Sequence, residues 1–169
     1  MAPNFALFCQ MTEQEQAEKT YHNILNLVWE FLTVKGAKIN FENQLEKLEE
    51  IIPDVNDYDF FGVVPALDAC EALGELLHAI IAGETLEKAI QISQISLGTV
   101  CSLIETQENR DLSESELKSR KEIEEELDLQ WQIYRLLKDC EKRDVDLILS
   151  LRNEIKQEGI SNIGIKIEQ

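Results

Sequence analysis

Basic residues are scarce in this sequence: 16 Lys and Arg stand against 33 Asp and Glu, for a formal net charge of -17 over 169 residues. Affinity for duplex nucleic acid comes almost wholly from Lys and Arg neutralising phosphates, so direct binding of DNA or RNA is not expected. The same charge favours a basic protein partner or keeps the chain soluble. Long hydrophobic runs are also missing. No segment reaches the ~20 apolar residues that span a bilayer, and the first ten residues show no basic leader followed by an apolar stretch. A membrane span and secretion are therefore not expected, and a cytoplasmic location is.

Histidine occurs only at His22 and His78, and no Cys-x-x-Cys pair joins Cys9, Cys70, Cys101 and Cys140. Isolated thiols among apolar residues act as small hydrophobes, which suits a reducing compartment. There is no Gly-x-Ser-x-Gly elbow, no Gly-rich phosphate loop, no cofactor fingerprint and no Cys with an evident His partner. The acidic stretch from Asp54 has Asp59 and Pro65 where a calcium loop needs Gly and Glu, so it reads as a turn in which Asp and Asn cap their own backbone.

What the chain does have is helical spacing of apolar residues nearly throughout, and at this length roughly 70% of the unfolded surface can be buried in one domain. Thr12 and Glu15 have capping-box spacing ahead of a helix with Ala17, Tyr21, Ile24, Leu25, Val28 and Leu32 on one face. A second helix begins near Asn40. Pro65 opens a third, apolar around most of its circumference and expected at the centre, and Gly83 ends it. Thr85 is expected to cap a fourth that returns antiparallel to the third. Ser113 and Glu116 form another capping box. From Lys121 to Glu158 one long helix is expected, with Asp144 inside its apolar stripe, where a carboxylate would need pairing. The tail alternates Ile163, Ile165 and Ile167 in strand-like fashion. The predicted fold is a single all-α domain over residues 1–169, a bundle of about five to six helices with a long C-terminal helix and a short extended tail.

On the third helix Asp68, Glu71, Glu75 and His78 recur every three or four residues, and Glu75 with His78 matches the Glu-x-x-His element of di-metal bundles. The second such element is missing, because Lys19 stands where His22 would need its Glu. These four residues therefore read as the solvent-facing strip of a buried helix, with a metal site as the alternative. Like charges at Glu71 and Glu75 cost only ~0.2–0.5 kcal/mol and demand no cation. Trp29, Trp131 and Tyr134 lie near apolar helix faces and read as core.

Pro3-Asn-Phe-Ala-Leu-Phe-Cys9-Gln resembles the YjaG-like family of uncharacterised bacterial proteins, as do Trp29-Glu-Phe-Leu-Thr-Val-Lys35, Gln44-Leu-Glu-Lys-Leu-Glu-Glu50, Asp68-Ala-Cys70, Gly83-Glu-Thr-Leu-Glu87 and Ser161-Asn-Ile-Gly-Ile165. The likeness covers essentially the whole chain. It implies an all-helical cytosolic fold with no assigned reaction, a genome-context link to signalling, and one further helix ahead of Met1. The expected role is a non-catalytic regulatory or protein-interaction module. The alternatives are a metal-binding bundle using Asp68, Glu71, Glu75 and His78, and an acidic nucleic-acid mimic that binds a basic protein. A homodimer is expected from apolar groups, among them Leu127 and Trp131, lying away from the Ile133 to Ile155 stripe.

Overall fold

Pro3 sits in the first turn of α1 (Ala2–Met11), whose Asn4, Phe5, Ala6, Phe8 and Cys9 are all buried. The computed structural model describes residues 1–140 and 143–166. Seven further helices follow: α2 (Glu15–Thr33), α3 (Phe41–Glu49), α4 (Val63–Ala82), α5 (Thr85–Glu108), α6 (Glu114–Lys118), α7 (Lys121–Leu137) and α8 (Val145–Glu158). The all-α bundle expected from the apolar spacing is what forms, with eight helices among the described residues rather than five or six.

Helix α4 lies at the centre, against α1, α3 and α5, while α2 backs α1 and α3. Phe5, Phe8, Tyr21, Ile24, Phe41, Leu48, Cys70, Leu73 and Leu77 make the main core. Phe5 stacks on Tyr21 at 4.8 Å between ring centroids, and the Tyr21 hydroxyl donates to the Ala69 carbonyl at 3.1 Å. Gly83 ends α4 in the left-handed conformation at φ 74°, which makes the tight α4–α5 hairpin. A smaller core of Val100, Ile104, Leu112 and Ile123 joins α5 to α7.

Several local expectations are corrected. Thr12 does not cap α2: its hydroxyl donates to the Phe8 carbonyl at 2.8 Å, closing α1, and Gln14 is the N-cap. Glu84, not Thr85, is the N-cap of α5. The long C-terminal helix is two helices, because Asp144 is the N-cap of α8 and accepts from the Leu147 amide at 3.0 Å. Asp144 is exposed, so its carboxylate satisfies an orphan helix amide instead of requiring a buried partner. Trp131 and Tyr134 are 55% and 57% exposed and do not belong to the core. The tail forms a single antiparallel bridge, Ile160 to Lys166, with Ile163 packed on the smaller core. Ile167 lies outside the described residues. The Ser113 and Glu116 capping box forms as expected, and α6 ends at Ser119.

The thiols divide by depth. Cys9 and Cys70 are buried, Cys101 is half-buried and Cys140 is exposed, which corrects the placing of Cys140 on a covered face. Burial, with Glu18 adding to it, pushes the Cys9 thiol up to about 12, and burial also raises Cys70. Since the thiolate is the reactive form, a disulfide reagent at pH 8 is expected to modify Cys140 first, Cys101 more slowly, and Cys9 and Cys70 only on unfolding. Mass mapping over time checks the order; fast native labelling of Cys9 or Cys70 would contradict the packing of α1 on α4.

Candidate functional site

With three sides of α4 covered by other helices, its polar strip meets the polar side of α5, and a groove of about 450 Å³ opens between them. Helix α4 contributes Asp68, Glu71 and Glu75; helix α5 contributes Gln91, Gln94, Ile95, Gly98 and Ser102. The spacing of three and four along α4 places the three carboxylates on successive turns. A Cβ at Gly98 would meet nothing within 4 Å. Packing therefore does not demand glycine there, although glycine weakens a helix interior by roughly 0.5–1 kcal/mol relative to alanine. Its effect is to leave the α5 wall of the groove flat.

Each carboxylate has a different environment. Asp68 is half-buried and accepts from the Thr99 hydroxyl at 2.7 Å. Burial raises its pKa above the usual carboxylate value, and the Thr99 hydrogen bond opposes that shift. Glu75 pairs with Lys88 across the hairpin at 2.5 Å, and that contact raises the lysine's pKa. Glu71 is exposed on the rim. Among the described residues neither Asp68 nor Glu71 has a cationic partner, and Gln91 Oε1 is buried with no hydrogen-bond donor. The groove thus sets acceptor-only carboxylates beside Gln91, Gln94 and Ser102, whose amides and hydroxyl both donate and accept.

His78 does not join it. The side chain is exposed and lies outside the groove lining, so the four-residue strip divides into three groove carboxylates and one solvent-facing imidazole. Among the described residues no three His, Cys, Asp or Glu side chains are grouped so as to hold a metal ion.

A second polar locus carries no signal in the sequence. Glu126 of α7 is only 7% exposed, and its Oε1 accepts from the Ser96 hydroxyl and the Gln130 amide, both at 2.7 Å. Asn162 of the tail donates to the Ser96 carbonyl at 3.0 Å and accepts from Asn4 of α1 at the same distance. Glu126 stands among acidic neighbours in a charged run, and nothing in the local pattern separates it from them. Glu126 joins α7 to Ser96 of α5, and through Ser96 the Asn162 and Asn4 bonds bring in the tail and α1.

The chain matches the family described as "Protein of unknown function (DUF416)" over residues 1–166. It belongs to the DUF416 family. A Haemophilus influenzae protein described as "Uncharacterized protein" is 73% identical over 169 residues, all of this chain and 86% of that protein. Proteins described as "Uncharacterized protein YjaG" from Salmonella typhimurium and Escherichia coli are 52% and 51% identical, again over all of this chain and 86% of theirs. The crystal structure of a DUF416 family protein from Shewanella baltica is similar with a TM-score of 0.89 at 32% identity, covering 99% of this chain and 87% of that one.

In this DUF416 chain the raised pKa of Asp68 has a definite sign in stability. The folded protein holds that proton more tightly than the unfolded chain, so the cost of the charge is absent below the unfolded pKa, near 3.8, and grows as pH rises past it. Asp68→Asn is therefore expected to raise the melting midpoint at pH 7 and leave it almost unchanged at pH 3. Melting curves at the two pH values check this; a lower midpoint at pH 7 would show that the charge stabilises the fold.

Proposed function

We propose that this protein is a non-catalytic cytosolic regulatory or protein-interaction module whose α4–α5 groove receives a basic side chain of a partner protein. The observation that carries the reading is a pair of groove carboxylates, Asp68 and Glu71, with no cationic partner among the described residues, beside a Gln91 carbonyl oxygen that lacks a donor. Ammonium and guanidinium groups offer donors only, which is the complement of such a lining. Lys88 already places an ammonium against Glu75 at one end of the groove, so the site accommodates that chemistry from within the chain. The net charge of -17 draws a basic partner from a distance, at a rate that falls with salt. His22 and His78 are both exposed and outside the groove, which leaves it without an imidazole for proton transfer.

Fluorescence anisotropy with labelled Lys- and Arg-containing peptides tests the proposal. Binding is expected to weaken with salt and to fall several-fold in Glu71→Gln or Asp68→Asn, because removing one member of a partly desolvated charge pair costs more than a surface contact. Affinity that no single groove substitution changes would point instead to the whole acidic surface acting as a nucleic-acid mimic. Elemental analysis after metal-replete expression separates the remaining alternative. About one Zn, Fe or Mn per chain, lost in Glu75→Ala or His78→Ala, would replace the interaction module with a metalloprotein.

A further inference from the structure

Helix α7 meets α5 along Ile123, Glu126 and Gln130, and its C-terminal half leaves a second stripe uncovered. At about 100° per residue, Leu127, Trp131 and Tyr134 fall together on one flank of the helix, with Lys138 just beyond it and Glu124 just before it. Trp131 and Tyr134 pack edge to face at 5.6 Å with more than half of each ring in water. The pairs Ser96 with Glu126 and Ser93 with Gln130 make α5 and α7 antiparallel, and the same register brings Ile90 and Leu86 level with Ile133 and Leu137. Leu86 is 76% exposed and Ile90 51%. One end of the α5–α7 pair is thus apolar over two helices.

We propose that this face binds a second copy of the chain, with the two α7 helices antiparallel across a two-fold axis at Trp131. The reason is a reversal of charge along the helix. Glu124 and Lys138 lie equally far from Trp131, two turns on either side, and Asp128 and Arg135 lie about one turn away on either side. A two-fold axis at Trp131 sets Glu124 against the partner's Lys138 and Asp128 beside the partner's Arg135, each pair occurring twice. The same operation brings Leu127 level with the partner's Tyr134 and places the two Trp131 rings together. A surface that is its own complement under a two-fold rotation is what an isologous dimer requires. Arg135 has no ion pair among the described residues, and Lys138 approaches only Asp139, at 3.8 Å.

The largest apolar patch on a typical monomer is about 300–600 Å², and a stable interface draws about 800 Å² from each partner. A second copy would therefore need Leu86, Ile90 and the charged margins of both helices as well as the α7 stripe. The general repulsion between two chains of -17 is screened within ~8 Å at physiological salt, whereas the four ion pairs lie in contact.

The inference is independent of the α4–α5 groove, and sedimentation velocity of the full protein at micromolar concentration and physiological salt tests it. A dimer is expected. Trp131→Ala is expected to weaken it at least a hundred-fold, as loss of a central aromatic from both subunits does. Glu124→Lys and Lys138→Glu are each expected to weaken it about ten-fold, since each sets like charges opposite one another twice. The double variant E124K/K138E restores the pairs in the opposite sense and recovers the dimer, which a folding defect in either single variant would not allow. A monomer throughout overturns the proposal and leaves the face to another segment or protein. A dimer that ignores both single reversals overturns the antiparallel arrangement.

Discussion

Helix α4 is apolar around most of its circumference, and covering it dictates where the other helices lie. Ala66, Ala69, Cys70 and Ala72 are small and buried, so neighbouring backbones approach closely; Leu73 and Leu77 supply the volume between them. α1 brings Phe5 and Phe8, α3 brings Phe41 and Leu48, and α2 reaches past them with Tyr21, whose hydroxyl finds a helix carbonyl within α4. The one strip that these helices leave polar carries Asp68, Glu71 and Glu75. Since α5 returns antiparallel from Gly83, that strip faces Thr99, Gln91 and Gln94, and the groove follows from the topology of the hairpin.

The second half of the chain is held differently. Among the described residues the buried apolar core there is Val100, Ile104, Leu112 and Ile123, and beyond them α5 meets α7 through Ser93, Ser96, Glu126 and Gln130. Burying the Glu126 carboxylate is costly, and the Ser96 and Gln130 donors offset the cost only when their geometry is fixed. Asn162 and Asn4 help fix it, which ties the tail and α1 to the same cluster. Hydrogen bonds specify this junction more than they stabilise it. The apolar groups past it, from Leu127 onward, are correspondingly less covered by their own chain.

Helix existence was legible in the sequence wherever one face repeats over several turns, as in α2, α4 and α5. The breaks were less so. Asp144 fits an apolar stripe by number and an N-cap by chemistry, and the end of α7 at Leu137 decides between them. α1 carried a signal in Pro3 followed by Phe5, Phe8 and Cys9 at helical spacing, but Thr12 with Glu15 offered a competing start, although the Thr12 hydroxyl closes the preceding helix instead. Of the candidate site, Asp68, Glu71 and Glu75 were readable because they share one face of one helix. Gln91, Gln94 and Ser102 were not, since the α5 residues that face them depend on the hairpin's rotation. His78 shares the helical spacing of the strip, yet its side chain is exposed and lies outside the groove lining.

Scarcity of cations joins these features. Lys88 closes the hairpin on Glu75, Arg110 and Arg120 gather Glu108 and Glu116 at the start of α6, and Arg143 and Arg152 hold α8 to α2 over the rings of Phe31 and Trp29. Basic residues engaged in these contacts are withdrawn from general neutralisation, so most carboxylates face solvent or the groove without a partner. Against that background Arg135 and Lys138 stand out, since they follow the acidic half of the same helix and flank its exposed aromatic pair. A chain that repels most acidic surfaces at a distance thereby carries one short segment whose charge reverses along its length, so the order of charges along a partner matters there as well as their sign.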